Sequence, residues 1–294
     1  MRELDEHTIT DEVIRRFGSC TDARQKRIMT ALVRHLHDFV REIELTEDEW
    51  TFAIDFLTRT GQMCSDTRQE FILLSDTLGV STLVDALNNR MPPGATRSTV
   101  LGPFFVEAAP AAENGADIDG GTGGGEPLYV EAFVGDTEGR PIAGATVDVW
   151  HSDDDGYYDV QLGDGKMLAR RARFTTDAIG RIYFWSTLPA SYPVPHDGPV
   201  GQMLEAMGSH PWRPAHVHFM IDAPEYRRLV THIFVGGDQY LDSDAVFGVK
   251  ESLVTNYELQ TAGTAPDGKA MDRPYRTLSY RFGLRSAASA KQAA

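Results

Sequence analysis

Apolar residues recur every three or four positions through the first hundred residues and every second position beyond Pro127. The first spacing is that of helices, the second that of strands with one covered face. Asp22 is placed to cap a helix whose residues Ile28, Leu32, Leu36, Phe39 and Ile43 form one stripe. Thr46-Glu-Asp-Glu49 is a capping box ahead of Trp50, Ala53, Ile54 and Leu57. Asp66 is expected to open a third helix carrying Phe71, Leu74 and Leu78, stopped by Gly79. A short fourth begins at Ser81 and ends by Met91-Pro92-Pro93, because proline cannot continue it.

Residues 94 to 126 read as a connector, and Ala111 to Glu126 is rich in Gly, Ala and Asp. Strands are expected at Leu128–Val134, Ala145–Trp150, Arg171–Thr175, Arg181–Trp185, Ala215–Ile221 and Val230–Val235. Turn sequences such as Asp136-Thr-Glu-Gly-Arg-Pro141 and Asp177-Ala-Ile-Gly180 punctuate them. Short strands without intervening helices suggest an antiparallel sandwich. The expected class is α+β, with a helical N-terminal domain over 1–105 and an antiparallel β-sandwich catalytic domain over 106–294.

Charge narrows the partners. With 28 basic and 43 acidic residues the net charge is −15, the wrong sign for tracking nucleic acid or an anionic membrane. No stretch approaches the roughly 18 apolar residues of a membrane span, and the charged N-terminus lacks the apolar core of a signal peptide. The only thiols, Cys20 and Cys64, exclude a disulfide scaffold and a thiolate-rich zinc site, and they fit a reducing cytoplasm. A bound metal would have to draw on nine His, ten Tyr and the carboxylates.

Arg213-Pro-Ala-His216-Val-His218-Phe-Met-Ile221 is the most informative stretch. On a strand, Val217, Phe219 and Ile221 share one face, and His216 and His218 project together from the other. Two imidazoles on one rigid element can chelate a metal, although they can equally be polar residues on a half-solvated strand. Zinc would want a third ligand, for which His151 or His232 could serve. Tyrosines are another source: Gly156-Tyr157-Tyr158-Asp159 leaves a strand end, and Ser191-Tyr192-Pro193-Val-Pro195 is a loop stiffened by prolines. Either phenol could instead be a packing residue with a bonded hydroxyl.

Other chemistries fail on their residues. An EF-hand register on Asp153-Asp-Asp155-Gly156 puts His151 first and Leu162 last, so that run reads as a solvated turn. Neither a nucleophile elbow, nor His-Glu-x-x-His, nor a phosphate-binding glycine motif occurs. His35 and His37, two residues apart, cannot share a helix face and read as surface or packing residues.

Three segments together resemble the intradiol ring-cleavage dioxygenases, ferric enzymes that open catechols between their hydroxyls. They are Val147-Asp-Val-Trp-His151 with Gly156-x-Tyr158, Tyr192-Pro-Val-Pro-x-Asp197-Gly-Pro199, and Arg213-Pro-Ala-His-Val-His218. Leu73-Leu-Ser-Asp76, Leu101-Gly-Pro-Phe-Phe105 and Leu241-Asp-Ser-Asp-Ala-Val-Phe-Gly-Val249 are similar to the hydroxyquinol branch. The resemblance implies Fe(III) held by Tyr158, Tyr192, His216 and His218, with Tyr192 and His218 axial. Two phenolates and a hydroxide would offset the three charges of this hard ion.

The same resemblance implies the reaction. A catechol binds as a dianion, Tyr192 is released and takes one of its protons, and O2 adds between the hydroxyl-bearing carbons. Arg213 would stabilise negative charge on the ring. With hydroxyquinol, the product is 3-hydroxy-cis,cis-muconate, which tautomerises to maleylacetate. The implied pocket comprises Leu73, Asp76, Leu101, Gly102, Pro103, Phe104, Val194 and Pro195, with Arg213 and His232. Asp76 could accept a bond from the third hydroxyl or be a solvated helix-end carboxylate. His232 stands where many catechol-cleaving relatives carry Gln.

Catechol or chlorocatechol is the alternative substrate, and a metal-free β-sandwich binding module is the alternative from another class. The family also implies a homodimer formed through the N-terminal helices; some relatives hold a lipid there, a point the sequence leaves open. Expected partners are therefore a catecholic small molecule and O2, without nucleic acid or membrane, in the cytoplasm.

Overall fold

The computed structural model describes residues 3–65, 68–107, 109–120, 124–162 and 168–288. By its contacts the chain forms two compact units, Met1–Gln62 and Met63–Ala294. The first contains α1 (Ile9–Arg16), α2 (Ala23–Glu42) and α3 (Glu47–Gln62). Asp22 caps α2, its Oδ1 accepting from the Gln25 N–H at 2.9 Å. The Thr46–Glu49 capping box forms in both directions, at 2.9 and 3.3 Å. The amphipathic pattern of α2 holds, but its apolar stripe is open: Ile28, Leu32, Leu36, Phe39 and Ile43 are each about half exposed.

The second unit begins with α4 (Glu70–Thr77) and α5 (Val80–Asn88). Asp66, the expected cap of the third helix, lies outside the described residues. Gly79 ends α4 as expected, at φ +71°, a left-handed conformation that glycine adopts without strain. Because α4 and α5 fall in the second unit, the compact units divide about forty residues before the domain boundary expected at 105.

Among the described residues thirteen strands follow: β1 (Pro127–Asp136), β2 (Thr146–His151), β3 (Arg171–Thr175), β4 (Arg181–Thr187), β5 (Tyr192–Pro193), β6 (Trp212–Arg213), β7 (His216–Asp222), β8 (Leu229–Val235), β9 (Val254–Thr255), β10 (Glu258–Gln260), β11 (Gly263–Thr264), β12 (Ala270–Met271) and β13 (Tyr275–Leu284). One further helix, α6 (Pro199–Ala206), starts with proline in its first turn. All six strands expected from the pattern are present.

Two sheets form the sandwich, in the orders β10-β13-β1-β4 and β3-β2-β7-β8-β9. It is mixed rather than purely antiparallel. β13 runs parallel to β1 from Leu128↔Arg276 to Asp136↔Leu284, and β9 runs parallel to β8. The chain returns to β1 only after a long excursion, which supplies the connection parallel neighbours need. Between the sheets lie Val130 and Val134 of β1, Val147 and Val149 of β2, Phe184 of β4, Val217, Phe219 and Ile221 of β7, and Leu278 and Phe282 of β13. The alternate residues of β2, β7 and β8 are thereby turned to the other side of the five-stranded sheet.

Candidate metal centre

Strand register assembles the site. His218 lies opposite His232 on β8 and opposite Trp150 on β2, so the three side chains share a face. His216 joins them two residues away, and ring nitrogens of His216, His218 and His232 lie within 4.8 Å of one another. Each of these imidazoles is at most 1% exposed. Trp150 stacks on His218 with centroids 4.5 Å apart.

Two loops bring the phenols. Tyr192 on β5 pairs with Arg213 on β6. Tyr158 follows the tight turn at Gly156, where φ is +88° and a Cβ would stand 3.0 Å from both Ser191 O and Tyr192 Cβ. Only glycine lets these loops touch. Tyr158 is fully buried, whereas its neighbour Tyr157 is half exposed.

Four donor atoms converge. Tyr158 Oη lies 3.4 Å from Tyr192 Oη and 3.0 Å from His218 Nε2, which is 3.1 Å from His216 Nε2. About 3 Å is the separation of adjacent ligands meeting at right angles on a metal with bonds of about 2.1 Å. Proton bookkeeping agrees. His216 Nδ1 faces the Pro214 carbonyl at 2.7 Å, which can only accept, so Nδ1 carries the hydrogen and Nε2 presents a lone pair. Burial, followed by the nearby Arg213 charge, lowers His216 to about 3, excluding a second proton at neutral pH.

Burial likewise holds His218 well below the ordinary imidazole value. It raises the Tyr158 phenol well above 10, with Tyr192 adding to the effect. A highly charged cation at the convergence would reverse that shift by favouring the phenolate. Phenol oxygens and imidazole nitrogens, with no sulfur, suit a hard trivalent ion. The residues present therefore fit ferric iron.

Arg213 is the fixed charge beside them. Its Nη1 donates to Tyr192 Oη at 3.3 Å, and Nε and Nη2 donate to the Asp244 carboxylate at 3.0 and 3.3 Å. Asp244 also accepts from the Val246 and Gly248 amides at 3.3 and 2.9 Å. Burial opposes its ionisation, but Arg213 outweighs this and keeps the carboxyl below its ordinary value. Arg213 Nη2 faces His232 Nδ1 at 3.5 Å.

Of the remaining expected pocket residues, Gly102 and Phe104 lie against this cluster. Gly102 takes φ +78°, and a Cβ there would meet His218 Cε1 at 3.3 Å. Phe104 stacks on Tyr158 at 4.4 Å. Asp76, Leu101 and Gly102 line a cavity of about 480 Å³, and Leu101, Gly102, Pro103 and Phe104 line a second of about 470 Å³. Leu73 and Val194 pack in one apolar cluster with Val200, Leu204 and Val246, and Pro195 follows Val194, half-buried. Asp76 is buried, not solvated, and desolvation raises its pKa despite a bond from Ser81.

His151, considered as a zinc ligand, is committed elsewhere. Its Nδ1 bonds the Ser152 carbonyl at 2.6 Å and its Nε2 bonds Ser186 Oγ at 2.8 Å. His37 bonds Thr10 at 2.9 Å in the first unit. The Asp153 run is a turn, Asp153 Oδ1 accepting from the amides of Asp155 and Tyr157.

Sequence reasoning missed two buried ion pairs. Asp244 lies within the Leu241–Val249 motif, but only the structure reveals its grip on Arg213. Asp159, directly after Tyr158, pairs with Arg171, and both side chains are 2% exposed. Arg171 also donates to the Phe104 carbonyl at 3.1 Å, so one guanidinium braces Tyr158 and the ring stacked upon it. No sequence spacing marks that pair.

Relatives share this architecture. Residues 22–96 match the family described as catechol dioxygenase N terminus, and residues 100–286 the family described as dioxygenase. The chain is 54% identical over 264 residues to 6-chlorohydroxyquinol 1,2-dioxygenase of Cupriavidus pinatubonensis, covering 90% of this chain and 95% of that protein. It is 50% identical to hydroxyquinol 1,2-dioxygenase of Nocardioides simplex, covering 95% of each. It superimposes on the crystal structure of hydroxyquinol 1,2-dioxygenase from Pseudomonas putida DLL-E4 with a TM-score of 0.89 at 49% identity, over 96% of this chain and 98% of that one. With both halves matched and a fold in common, the protein belongs to the intradiol ring-cleavage dioxygenase family and is similar in sequence to its hydroxyquinol 1,2-dioxygenases.

Proposed function

We propose that this protein is a non-haem Fe(III) dioxygenase that opens hydroxyquinol (1,2,4-trihydroxybenzene) between its adjacent hydroxyls. Both atoms of O2 enter the product, 3-hydroxy-cis,cis-muconate, which tautomerises to maleylacetate. The observation that carries the reading is the convergence of Tyr158, Tyr192, His216 and His218 at 3.0–3.4 Å beside the Arg213 guanidinium. The activities named for the relatives at 50% and 54% identity support the substrate.

When bound, iron supplies the Lewis acidity and redox contact that allow an aromatic diol to react with O2. The protein's residues do the rest. Tyr158, Tyr192, His216 and His218 would hold the iron, and Tyr192, whose Oη accepts from Arg213, would receive a substrate proton at that oxygen. Arg213, fixed by Asp244, faces the anionic ring and stabilises its charge without reorganising. Phe104, stacked on Tyr158 at 4.4 Å, covers that ring from water. Asp76 reads the third hydroxyl from its buried position, and His232 steadies Arg213 from the other side.

The proposal includes a homodimer formed through the N-terminal helices, in the cytoplasm; whether lipid lies between those helices is for measurement. The half-exposed stripe from Ile28 to Ile43 supports a covered surface there. Light scattering and mass spectrometry of extracted lipid test these points. For the reaction, iron analysis, the visible spectrum and oxygen uptake on hydroxyquinol, catechol and chlorocatechols decide. The expected protein is wine-red from phenolate-to-iron charge transfer and consumes one O2 per hydroxyquinol. A colourless, iron-free protein overturns the reading, and faster turnover of catechol or a chlorocatechol corrects the substrate.

A further inference from the structure

We infer that Asp238 is a positioning residue for the metal centre, clamping the chain segment of Tyr192 to that of His216. This inference rests on the proposed iron-binding function. Asp238 Oδ2 accepts from Ser191 Oγ at 2.6 Å and from the Ala215 N–H at 2.9 Å. Ser191 immediately precedes Tyr192, and Ala215 immediately precedes His216. One carboxylate oxygen thus bridges two segments more than twenty residues apart, each one residue before a candidate ligand. Rigid support of this kind sets ligand spacing, to which a metal site is sensitive at the scale of tenths of an ångström.

The clamp is itself anchored. Asp238 lies in the turn after β8, in which Gly237 takes φ +83° and the Gly236 N–H donates to Thr255 O at 2.7 Å. Asp238 Oδ1 accepts from the Tyr240 N–H at 2.9 Å. The Tyr240 ring stacks on Trp212 at 5.3 Å with planes 4° apart, and Trp212 adjoins Arg213 and pairs with Pro193. The turn therefore gathers the segments of Tyr192, Arg213 and His216 without itself supplying one of the four convergent donors.

The test compares wild type with Asp238→Ala, Asp238→Asn, Ser191→Ala and the Ser191→Ala/Asp238→Ala double variant. Iron retention against a competing chelator, the visible phenolate band and the melting temperature of the iron-free protein are measured. Asp238→Ala is expected to hold iron about 10–100-fold more weakly, with a shifted band, while the iron-free protein melts within a few degrees of wild type. Asp238→Asn should lie nearer wild type, since its amide oxygen can take the place of Oδ2. Ser191→Ala should show a smaller loss, and the double variant should be no worse than Asp238→Ala, because both act through one clamp.

Wild-type iron retention and band in a folded Asp238→Ala overturn the inference. Should that variant not fold, an unchanged band and iron affinity in Ser191→Ala do the same. A wild-type protein that holds no iron removes the functional reading itself, a distinct result.

Discussion

The two faces of β7 are equally buried and chemically opposite. Val217, Phe219 and Ile221 are 0% exposed against the other sheet, and His216 and His218 are 1% exposed on the far side. The apolar face needs only complementary shape, because dispersion and the hydrophobic effect ask nothing of direction. The imidazole face carries polar atoms that must each find a partner. It buries them under aromatic rings and turns their lone pairs toward one point. Dense packing alone does not make a structural core; what matters is whether the buried atoms are satisfied by one another or by something they are built to receive.

The sharpest contrast is between neighbours. His218→Ala removes a convergent donor and should abolish iron binding and turnover while the sandwich stays folded; circular dichroism and iron analysis read both. Phe219→Ala, one residue away, should cost about 3–5 kcal/mol of stability in denaturant unfolding while the protein that remains folded keeps its iron. If the two exchanged phenotypes, the division between the faces would be wrong.

Arg213→Lys is the next largest effect. Lysine keeps the charge but cannot grip both Asp244 oxygens and Tyr192 together. Turnover should fall about 10²–10³-fold, with iron content unchanged. Asp76→Ala tests the outer wall: hydroxyquinol turnover should drop about tenfold relative to catechol, the cost of one hydrogen bond. Equal losses on both substrates would exclude Asp76 as the reader of the third hydroxyl.

The smallest effect at neutral pH belongs to His151, which bonds across to Ser186 of the opposite sheet. Burial lowers its pKa to about 4, against 6.5 in the unfolded chain. Between these values the unfolded chain binds the extra proton, so stability is lost as pH falls through 6.5 and the loss levels off below about 4. The slope should reach about 1.4 kcal/mol per pH unit. Denaturant unfolding of His151→Gln should show a flatter pH profile by that amount.

Much of this centre could be read from the chain. His-x-His on an alternating strand announces two imidazoles on one face, and the Gly156 and Pro193 loops mark their tyrosines. The carboxylates that brace them could not be read, since Asp159, Asp238 and Asp244 sit in polar turns that resemble solvated ones. Their partners Arg171, Ala215 and Arg213 lie 12, 23 and 31 residues away. β13 was not among the expected strands, although Leu278, Tyr280, Phe282 and Leu284 do alternate. Its parallel pairing with β1 has no signature in that alternation, because a period of two is the same in either direction.

Gly102 sets a limit for anyone wishing to retune this enzyme. Its left-handed backbone strains any side chain, and a Cβ there would stand 3.3 Å from His218 Cε1, a tight contact. Even alanine there would press on an imidazole ring, trading selectivity against the metal centre. New substrate range has to be sought in the flanking side chains, Leu101 and Phe104, where volume can change without moving the backbone.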